Sequence, residues 1–234
     1  MNKVIHTAHE FFKDAGFDYA ICGGFALDMF VGQELRTHGD FDIMVFKEDK
    51  HLAVDFFMNK SWPVYGRFME EGKIVTNFLF HKINNIKDEF WDECRNMWTI
   101  KPGSLPEMYK HSRLQGEVYS YKPLTEWKVE NLEFVELEFD AKDGGDYVAK
   151  ENPKITRPLD KAILHREGIP YLAPEIVLFY KSDKFSSEHP NVKPKTESDF
   201  KTIMPLLPAE SKKWLLEAID TAYPDGYEWL DGLL

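Results

Sequence analysis

The sequence predicts an α+β protein, in which a mixed β-sheet with flanking helices is followed by a smaller helical C-terminal part. In the N-terminal half, short apolar runs alternate with amphipathic segments. Residues 132 to 139 (LEFVELEF) alternate apolar and acidic side chains, as a half-buried strand does. From Pro174 onward the pattern changes to helices. We therefore divide the chain into residues 1 to 150, an α/β part, and residues 151 to 234, a helical part.

The first elements follow from spacing and from glycine positions. Residues 3 to 15 carry apolar side chains at helical intervals, which indicates an amphipathic helix. The run Tyr19-Ala20-Ile21-Cys22 predicts a buried strand that ends at Gly23-Gly24. The elements predicted next are a helix at 25 to 31, a strand at 41 to 46, a helix at 48 to 60, and a hairpin at 62 to 82 that turns at 70 to 72.

The sequence pattern that indicates helices and strands is less regular in the rest of the chain. Residues 84 to 116 show no clear period and are predicted to be irregular, whereas 132 to 139 form a strand with a turn at 143 to 146. Pro174 suits a first helical position and Glu175 suits a first helical turn. The polar stretch 186 to 196 is predicted to be a loop. Further helical segments are predicted at 198 to 207, 209 to 223 and 227 to 234.

Composition narrows the class of protein. A chain of 234 residues that is 43% hydrophobic and 15% aromatic can form a substantial core. It has no apolar run of roughly 18 residues, no signal-peptide pattern and only two cysteines, so we expect a cytoplasmic protein without a membrane partner. A net charge of -11 disfavours nucleic acid and suits a cationic small molecule. Composition makes no prediction of the oligomeric state.

Two aspartates interrupt the apolar strand predicted at 41 to 46. Asp40 and Asp42 are two residues apart, so their side chains share one face, while Phe41, Ile43 and Val45 face the core. Adjacent carboxylates repel each other, and one keeps its proton unless a cation lies between them. Mg²⁺ prefers oxygen ligands and is commonly held by one or two carboxylates together with substrate phosphates. The pair therefore predicts a magnesium site.

The Gly23-Gly24 turn is a candidate phosphate site. Backbone N–H groups of residues without a Cβ can approach a phosphate closely, and a helix N-terminus favours the negative charge. Two aspartates alone are often solvated surface acids. Placed after a glycine pair and alternating with core residues, they predict a nucleoside triphosphate bound through Mg²⁺.

A metal site of this kind needs a third carboxylate from a neighbouring strand. Glu136 and Glu138 share one face of the strand at 132 to 139. We favour Glu136 because it lies nearer the middle of the strand, and keep Glu138 as the alternative. A further alternative is that both are solvent-facing acids on an edge strand.

Residues 23 to 46 (GGFALDMFVGQELRTHGDFDIMVF) resemble the signature of nucleotidyltransferases of the DNA polymerase β superfamily. Within it, the motif is similar to the aminoglycoside 2''-adenylyltransferase and lincosamide nucleotidyltransferase-like group. The resemblance extends to residues 168 to 184 (GIPYLAPEIVLFYKSDK), to 197 to 200 (ESDF) and to the Trp-Leu pair at 229 and 230. It implies a nucleotidyltransferase-type mixed sheet. It also implies that residues 1 to 150 are the nucleotidyltransferase catalytic domain and that the helical residues 151 to 234 complete the substrate cleft.

The resemblance also implies roles for single residues. Gly23 and Gly24 would bind the triphosphate, and Asp40 and Asp42 would bind Mg²⁺. Three basic residues are carried over as nucleotide-binding: Arg36 and His38, near the phosphates or bracing the acidic strand, and Lys181, which would reach the phosphates from the helical part. Asp28 also matches the motif, with a purely structural helix residue as the alternative.

The reaction implied is transfer of a nucleoside monophosphate, AMP from ATP, to a hydroxyl of a small molecule such as an aminoglycoside or lincosamide. Two metal ions about 3.5–4 Å apart would bridge the attacking and leaving oxygens. Asp40 and Asp42 would ligate both and Glu136 one, and Glu136 or an acid of the helical part would accept the hydroxyl proton. The alternatives are a toxin-like enzyme that modifies tRNA or protein, and a non-catalytic nucleotide-binding member of the fold.

Overall fold

A mixed sheet of twelve strands organises the part of the chain that the computed structural model describes. The described residues are 2–68, 79–88, 91–92, 94, 96–111, 118–121, 129–183, 186, 189–226, 228–230 and 232–233. Within these ranges the strands are β1 (Tyr19–Ile21), β2 (Asp42–Phe46), β3 (Val64–Phe68), β4 (Leu79–Ile83), β5 (Asn96–Ile100), β6 (Met108–Lys110), β7 (Val118–Tyr121), β8 (Phe134–Asp143), β9 (Asp146–Val148), β10 (Thr156–Pro158), β11 (Ile163–Arg166) and β12 (Ile169–Leu172).

Seven α-helices accompany the sheet among the same residues, so the α+β class predicted from the sequence is confirmed. They are α1 (Lys3–Phe12), α2 (Gly23–Val31), α3 (Lys50–Asn59), α4 (Leu159–Ala162), α5 (Pro174–Tyr180), α6 (Lys193–Ile203) and α7 (Ala209–Ala222). Short 3-10 turns lie at Lys47–Asp49, Met204–Leu206 and Glu228–Leu230. No helix in the described ranges is long and apolar enough to cross a bilayer.

The strand order places β8 inside the sheet. The order is β11-β12-β1-β2-β8-β5-β3-β4-β7-β6, with β9 paired to the far end of β8 and β10 paired to β9. β2 and β8 run parallel with Asp42 opposite Glu136, and β8 and β5 run antiparallel with Trp98 opposite Glu136. The alternative that Glu136 and Glu138 lie on an edge strand is therefore wrong.

Local sequence explains the elements that hold the glycine pair. The Asn2 side chain accepts a hydrogen bond from the Val4 amide at 3.0 Å and so caps α1, which buries one apolar face. β1 is buried throughout. α2 is apolar on nearly all sides and ends at Gly32, whose φ of 88° is the left-handed conformation that glycine adopts without strain.

β2 is buried on both faces beyond its first residue. Ile43, Met44 and Val45 each have 0% of their surface exposed, as does Phe41 before the strand. Phe41, Ile43 and Val45 are thus in the core, as the alternation predicts. Met44 lies on the same face as Asp42 and lines the cavity described below.

The prediction that residues 84 to 116 are irregular is wrong for two segments, β5 and β6. β5 lies between β8 and β3, and Met97, Trp98, Thr99 and Ile100 are all buried. A strand covered on both faces does not show the period of two that reveals a half-exposed strand. The predicted hairpin is present as β3 and β4, paired with Val64 opposite Ile83, while its predicted turn lies outside the described residues.

The C-terminal part is not purely helical. β10, β11 and β12 follow residue 150, and β12 extends the main sheet by pairing with β1. Apart from the four-residue α4, the helices of this part begin at Pro174, as predicted. α6 begins at Lys193, so the loop predicted for 186 to 196 ends earlier than expected, and the helix predicted for 227 to 234 is a single 3-10 turn among its described residues.

A buried ion pair joins three of these C-terminal elements. Arg157 of β10 forms an ion pair with Glu175 of α5, with side-chain exposures of 6% and 3%. Ser211 of α7 donates a hydrogen bond to the same Glu175 carboxylate at 2.8 Å. The guanidinium of Arg157 also lies 5.3 Å from the centre of the Trp214 ring. These contacts hold α5 and α7 against the strands that precede them.

Candidate active site

A cavity of about 560 Å³ opens where β2 and β8 approach α5 and α7. From the sheet it is lined by acidic and amide side chains, and from the helices by aromatic side chains and a lysine. The residues that line the cavity include Gly23, Asp40, Asp42, Arg67, Asn96, Glu136, Glu138, Asp140, Lys150, Glu151, Tyr180 and Lys181. A volume of this size accommodates ligands of the size of a nucleotide or a small-molecule substrate.

Three carboxylates converge at the sheet side of the cavity. One ligand oxygen each of Asp40, Asp42 and Glu136 lies within 4.8 Å of the other two. Asp40 precedes β2 and is exposed, Asp42 begins β2 and is half-buried, and Glu136 is buried on the adjacent parallel strand. Three convergent oxygen donors, open to solvent on one side, fit the coordination preference of Mg²⁺.

The second predicted candidate, Glu138, lies one step further along β8, opposite Met44 of β2. Its carboxylate forms an ion pair with Lys150. The structure therefore brings Glu136 to the two aspartates, whereas Glu138 faces a different cation in the same cavity.

Nearby cations offset the negative charge of the triad only in part. Burial raises the pKa of Asp42 well above its ordinary value, and the charges of Asp40 and Glu136 raise it further, while Lys181 opposes them. Burial and the neighbouring Glu138 raise the pKa of Glu136 to about 7, against the attraction of Arg67. Crowded carboxylates with raised pKa values are stabilised by a bound cation, which supports the fit to a metal.

The glycine pair is packed against side chains of the site. Gly23 has a φ of 59°, and a Cβ on it would lie 1.9 Å from Asp42 Oδ2. A Cβ on Gly24 would lie 2.3 Å from His38 Nδ1. Sequence reasoning assigned both glycines to phosphate binding alone. The structure shows that, at the start of the nine-residue α2, they also leave room for Asp42 and His38.

His38 is held by Asp28. Its Nε2 donates to Asp28 Oδ2 at 2.7 Å, and the other oxygen of Asp28 accepts the Leu35 amide at 2.9 Å. Arg36 Nη1 lies 3.3 Å from His38 Nδ1, and because a guanidinium can only donate, this nitrogen acts as the acceptor. In this structure His38 and Asp28 brace the loop between α2 and β2.

Arg36 and Lys181 meet at one buried carboxylate. Arg36 Nε and Nη2 donate to Oδ1 and Oδ2 of Asp199, both at 3.1 Å. Lys181 Nζ lies 3.1 Å from Asp199 Oδ2. Asp199 lies on α6, within the ESDF segment that supported the family resemblance, but sequence reasoning gave it no role. The structure therefore places Arg36, His38 and Lys181 in one network beside the glycine pair.

Sequence reasoning also missed the partners of Glu136 and of the acids next to it. Asn96 Nδ2 donates to Glu136 Oε1 at 2.5 Å, and Arg67 Nη1 lies 3.6 Å from the same oxygen. Asn96 lies in the stretch predicted to be irregular, so no strand pairing could be assigned to it. Further along β8, Asp140 accepts hydrogen bonds from Tyr180 at 2.5 Å and Tyr147 at 2.9 Å.

Comparison with known proteins places these features in a family context. The model of the aminoglycoside-2''-adenylyltransferase family matches residues 4–73, which include the glycine pair and both aspartates. This confirms the resemblance seen in residues 23 to 46. No curated protein matches the sequence at a significant level.

Solved structures resemble this chain over most of its length. The solution structure of the antibiotic-resistance factor ANT(2'')-Ia superposes with a TM-score of 0.50 at 16% identity, covering 95% of this chain and 92% of that one. The crystal structure of ANT(2'')-Ia in complex with adenylyl-2''-tobramycin gives 0.48 at 14% identity, with coverages of 92% and 94%. The lincomycin-bound lincosamide antibiotic adenylyltransferase LnuA gives 0.42 at 14% identity, with coverages of 82% and 94%. The first of these matches shows that the chain shares its fold with ANT(2'')-Ia.

Proposed function

We propose that the protein is a Mg²⁺-dependent nucleotidyltransferase that transfers AMP from ATP to a hydroxyl of a small, aminated acceptor such as an aminoglycoside. The observation that carries the proposal is the convergence of Asp40, Asp42 and Glu136 beside the Gly23-Gly24 turn, in a cavity of about 560 Å³. The family match over residues 4–73 and the shared fold support the same assignment.

Asp40, Asp42 and Glu136 would hold the metal. When bound, Mg²⁺ supplies positive charge that offsets the triphosphate and the charge that develops on the transferring phosphoryl group. Lys181 and Arg36, which lie beside the glycine pair, would bind phosphate oxygens, and the α2 N-terminus would add backbone N–H groups. Positioning and charge neutralisation then account for most of the rate enhancement, as in other phosphoryl transfers.

Two carboxyls of the cavity are suited to accept the proton of the attacking hydroxyl. The pKa of Glu136 is raised to about 7, as described above. Burial likewise raises the pKa of Glu151 to about 7, with Lys150 opposing and Asp140 adding to the shift. A base works best with a pKa near the working pH. Glu151 is not one of the three carboxylates that would hold the metal, so it would meet that condition with Mg²⁺ bound, whereas Mg²⁺ would lower the pKa of Glu136.

The acceptor class follows from the charge of the cavity. Glu138, Asp140, Glu151 and Asp183 line it in addition to the triad, whereas the lysines and arginines that line it are Arg67, Lys150 and Lys181. This excess of carboxylates favours an acceptor with protonated amines and disfavours the phosphates of tRNA.

The test is a matrix of the four nucleoside triphosphates against aminoglycosides, lincosamides and bulk tRNA, with and without Mg²⁺, in which pyrophosphate release is measured. We expect release that requires ATP, Mg²⁺ and an aminoglycoside. Release with tRNA alone would replace the proposal by a tRNA-modifying enzyme. No release, together with no Mg²⁺-dependent nucleotide binding, would replace it by a non-catalytic member of the fold.

A further inference from the structure

Asp199 is a buried carboxylate that binds two cations at once. Only 4% of its side chain is exposed, and it accepts from both the forked Arg36 guanidinium and the Lys181 ammonium at 3.1 Å. Burial alone would raise the pKa of Asp199, but the charges and hydrogen bonds of Lys181 and Arg36 lower it below its ordinary value. Asp199 is therefore ionised throughout the neutral range.

Both cations lie beside the proposed metal site, since Lys181 lines the cavity that holds Asp40 and Asp42, and Arg36 Nη2 lies 3.2 Å from the position that a Cβ on Gly24 would take. Lys181 lines the cavity together with Asp42, and its charge lowers the pKa of that carboxyl. Burial lowers the pKa of the Arg36 guanidinium, whereas the hydrogen bonds and charge of Asp199 raise it. The charges of Asp40 and Asp28 raise it further. Asp28 is already bound by His38 and the Leu35 amide. Without Asp199, Arg36 and Lys181 would lose their shared carboxylate partner beside the cavity that Asp40 and Asp42 line.

We propose that Asp199 is a positioning residue that keeps Arg36 and Lys181 out of the metal site. By binding both cations it leaves Asp40 and Asp42 free for Mg²⁺. It also neutralises only one of two positive charges, so the cluster of Arg36, Lys181 and Asp199 keeps a net positive charge for the triphosphate. The inference rests on the proposed function and adds to it a residue that contacts neither metal nor substrate.

The geometry suits this role. A planar guanidinium bound through two parallel hydrogen bonds has a defined orientation, which a single contact does not impose. Asp199 belongs to α6, and Lys181 follows the last residue of α5, so the contact also fixes two helices of the C-terminal part relative to the loop before β2. A cation that turned instead to Asp40 or Asp42 would compete directly with the metal for the same oxygens.

The experiment compares Asp199→Asn with the matched control Glu197→Gln. Glu197 is on the same helix, and its carboxylate lies 3.9 Å from Lys201 Nζ on the protein surface. Mn²⁺ binding to the nucleotide-free protein is measured by electron paramagnetic resonance, and KM for ATP and kcat are measured separately. We expect Asp199→Asn to weaken Mn²⁺ binding by about 10- to 100-fold, the range for residues that orient metal ligands, and to raise KM for ATP. Glu197→Gln should match the wild type.

Three further variants identify the competing cations, and Asp199→Glu tests the role of the carboxylate if Asp199→Asn does not fold. Asp199→Asn combined with Lys181→Met leaves one unpaired cation instead of two. It should bind Mn²⁺ more tightly than Asp199→Asn but more weakly than Lys181→Met alone, because Arg36 still turns to Asp40. Asp199→Glu, which keeps the charge, should recover most of the Mn²⁺ affinity.

The outcomes separate this inference from the proposed function. If the wild type binds neither Mn²⁺ nor ATP, the proposed function fails. If the wild type binds both, and folded Asp199→Asn binds both equally well, the positioning role of Asp199 is overturned while the proposed function stands. Equal Mn²⁺ affinity of Lys181→Met with and without Asp199→Asn would overturn it in the same way.

Discussion

The carboxylate of Asp42 occupies the space in which Gly23 would carry a side chain, since a Cβ there would lie 1.9 Å from Oδ2. Gly23 also has a φ of 59°, which residues other than glycine adopt only with strain. The backbone of Cys22, just before it, donates to the Asp42 carbonyl at 2.9 Å. The glycine turn and the acidic strand are thus packed as one unit, and a change in the first displaces the second.

Gly23→Ala is expected to abolish nucleotidyl transfer and to destabilise the fold by more than the cost of the backbone strain. The matched control is Gly16→Ala, since Gly16 has a φ of 81° but nothing within 4 Å of its Cβ position. The control should lose about 1–2 kcal/mol from the left-handed conformation and keep its activity. Thermal melts measure the stability of both variants, and pyrophosphate release measures their activity. Equal loss of activity in the two variants would show that strain, not displacement of Asp42, is responsible.

Asp42→Asn is expected to leave the metal-free protein at least as stable as the wild type, because it removes one charge from a crowded carboxylate cluster. The same variant should lose the increase in melting temperature that Mg²⁺ and ATP give the wild type. Its turnover should fall by about 10³-fold or more, as for loss of a group that stabilises transition-state charge. Wild-type turnover in Asp42→Asn would rule out its role at the metal.

The metal-free protein should become less stable as the pH rises from about 4.5 to about 7. Glu136 has a pKa of about 7 in the folded chain and an ordinary value of 4.5, so in this interval the folded state binds more protons than the unfolded state. The stabilising contribution of Glu136 is fully present below about pH 4.5. It is lost as the pH rises to about 7, by at most about 1.4 kcal/mol per pH unit. Urea unfolding at a series of pH values should show this slope in the wild type and a smaller slope in Glu136→Gln. Parallel curves for the two proteins would contradict the assignment.

Arg157→Met should destabilise the fold by about 3–5 kcal/mol, because it leaves Glu175 buried and charged without its partner. The double variant Arg157→Met with Glu175→Gln should recover most of that loss, since the uncompensated charge is gone. Chemical denaturation of both variants and of the wild type provides the double-mutant comparison. An additive loss in the double variant would mean that the pair is not coupled.

The sequence predicted what depends on local pattern. The Asp40-Asp42 pair, the glycine turn before it and the choice of Glu136 over Glu138 all came from alternation and spacing within short segments. The structure brings these residues together because β2 and β8 pair in parallel with Asp42 opposite Glu136. The same pairing places Glu138 one step further, beside Lys150, a contact that spacing alone does not show.

What the sequence did not predict depends on contacts between distant residues. The partner of Arg36 is Asp199, 163 positions away, and no local pattern indicates that contact. Asn96 reaches Glu136 only because β5 is an inner strand, and an inner strand lacks the alternation that would have revealed it. Only the backbone role of Gly23 was predicted. The sequence does not show which neighbouring side chain fills the space where a Cβ on this residue would lie.

The parallel pairing of β1 with β12 limits how this fold can be recombined. Ile21 of β1, two positions before Gly23 in the chain, lies opposite Tyr171 of β12. A junction at residue 150 would separate β12 from β1 and leave the three-residue strand that leads into Gly23 open along one edge. A chimaera that takes its C-terminal helices from a homologous chain therefore keeps the sheet intact only if the junction lies after Leu172.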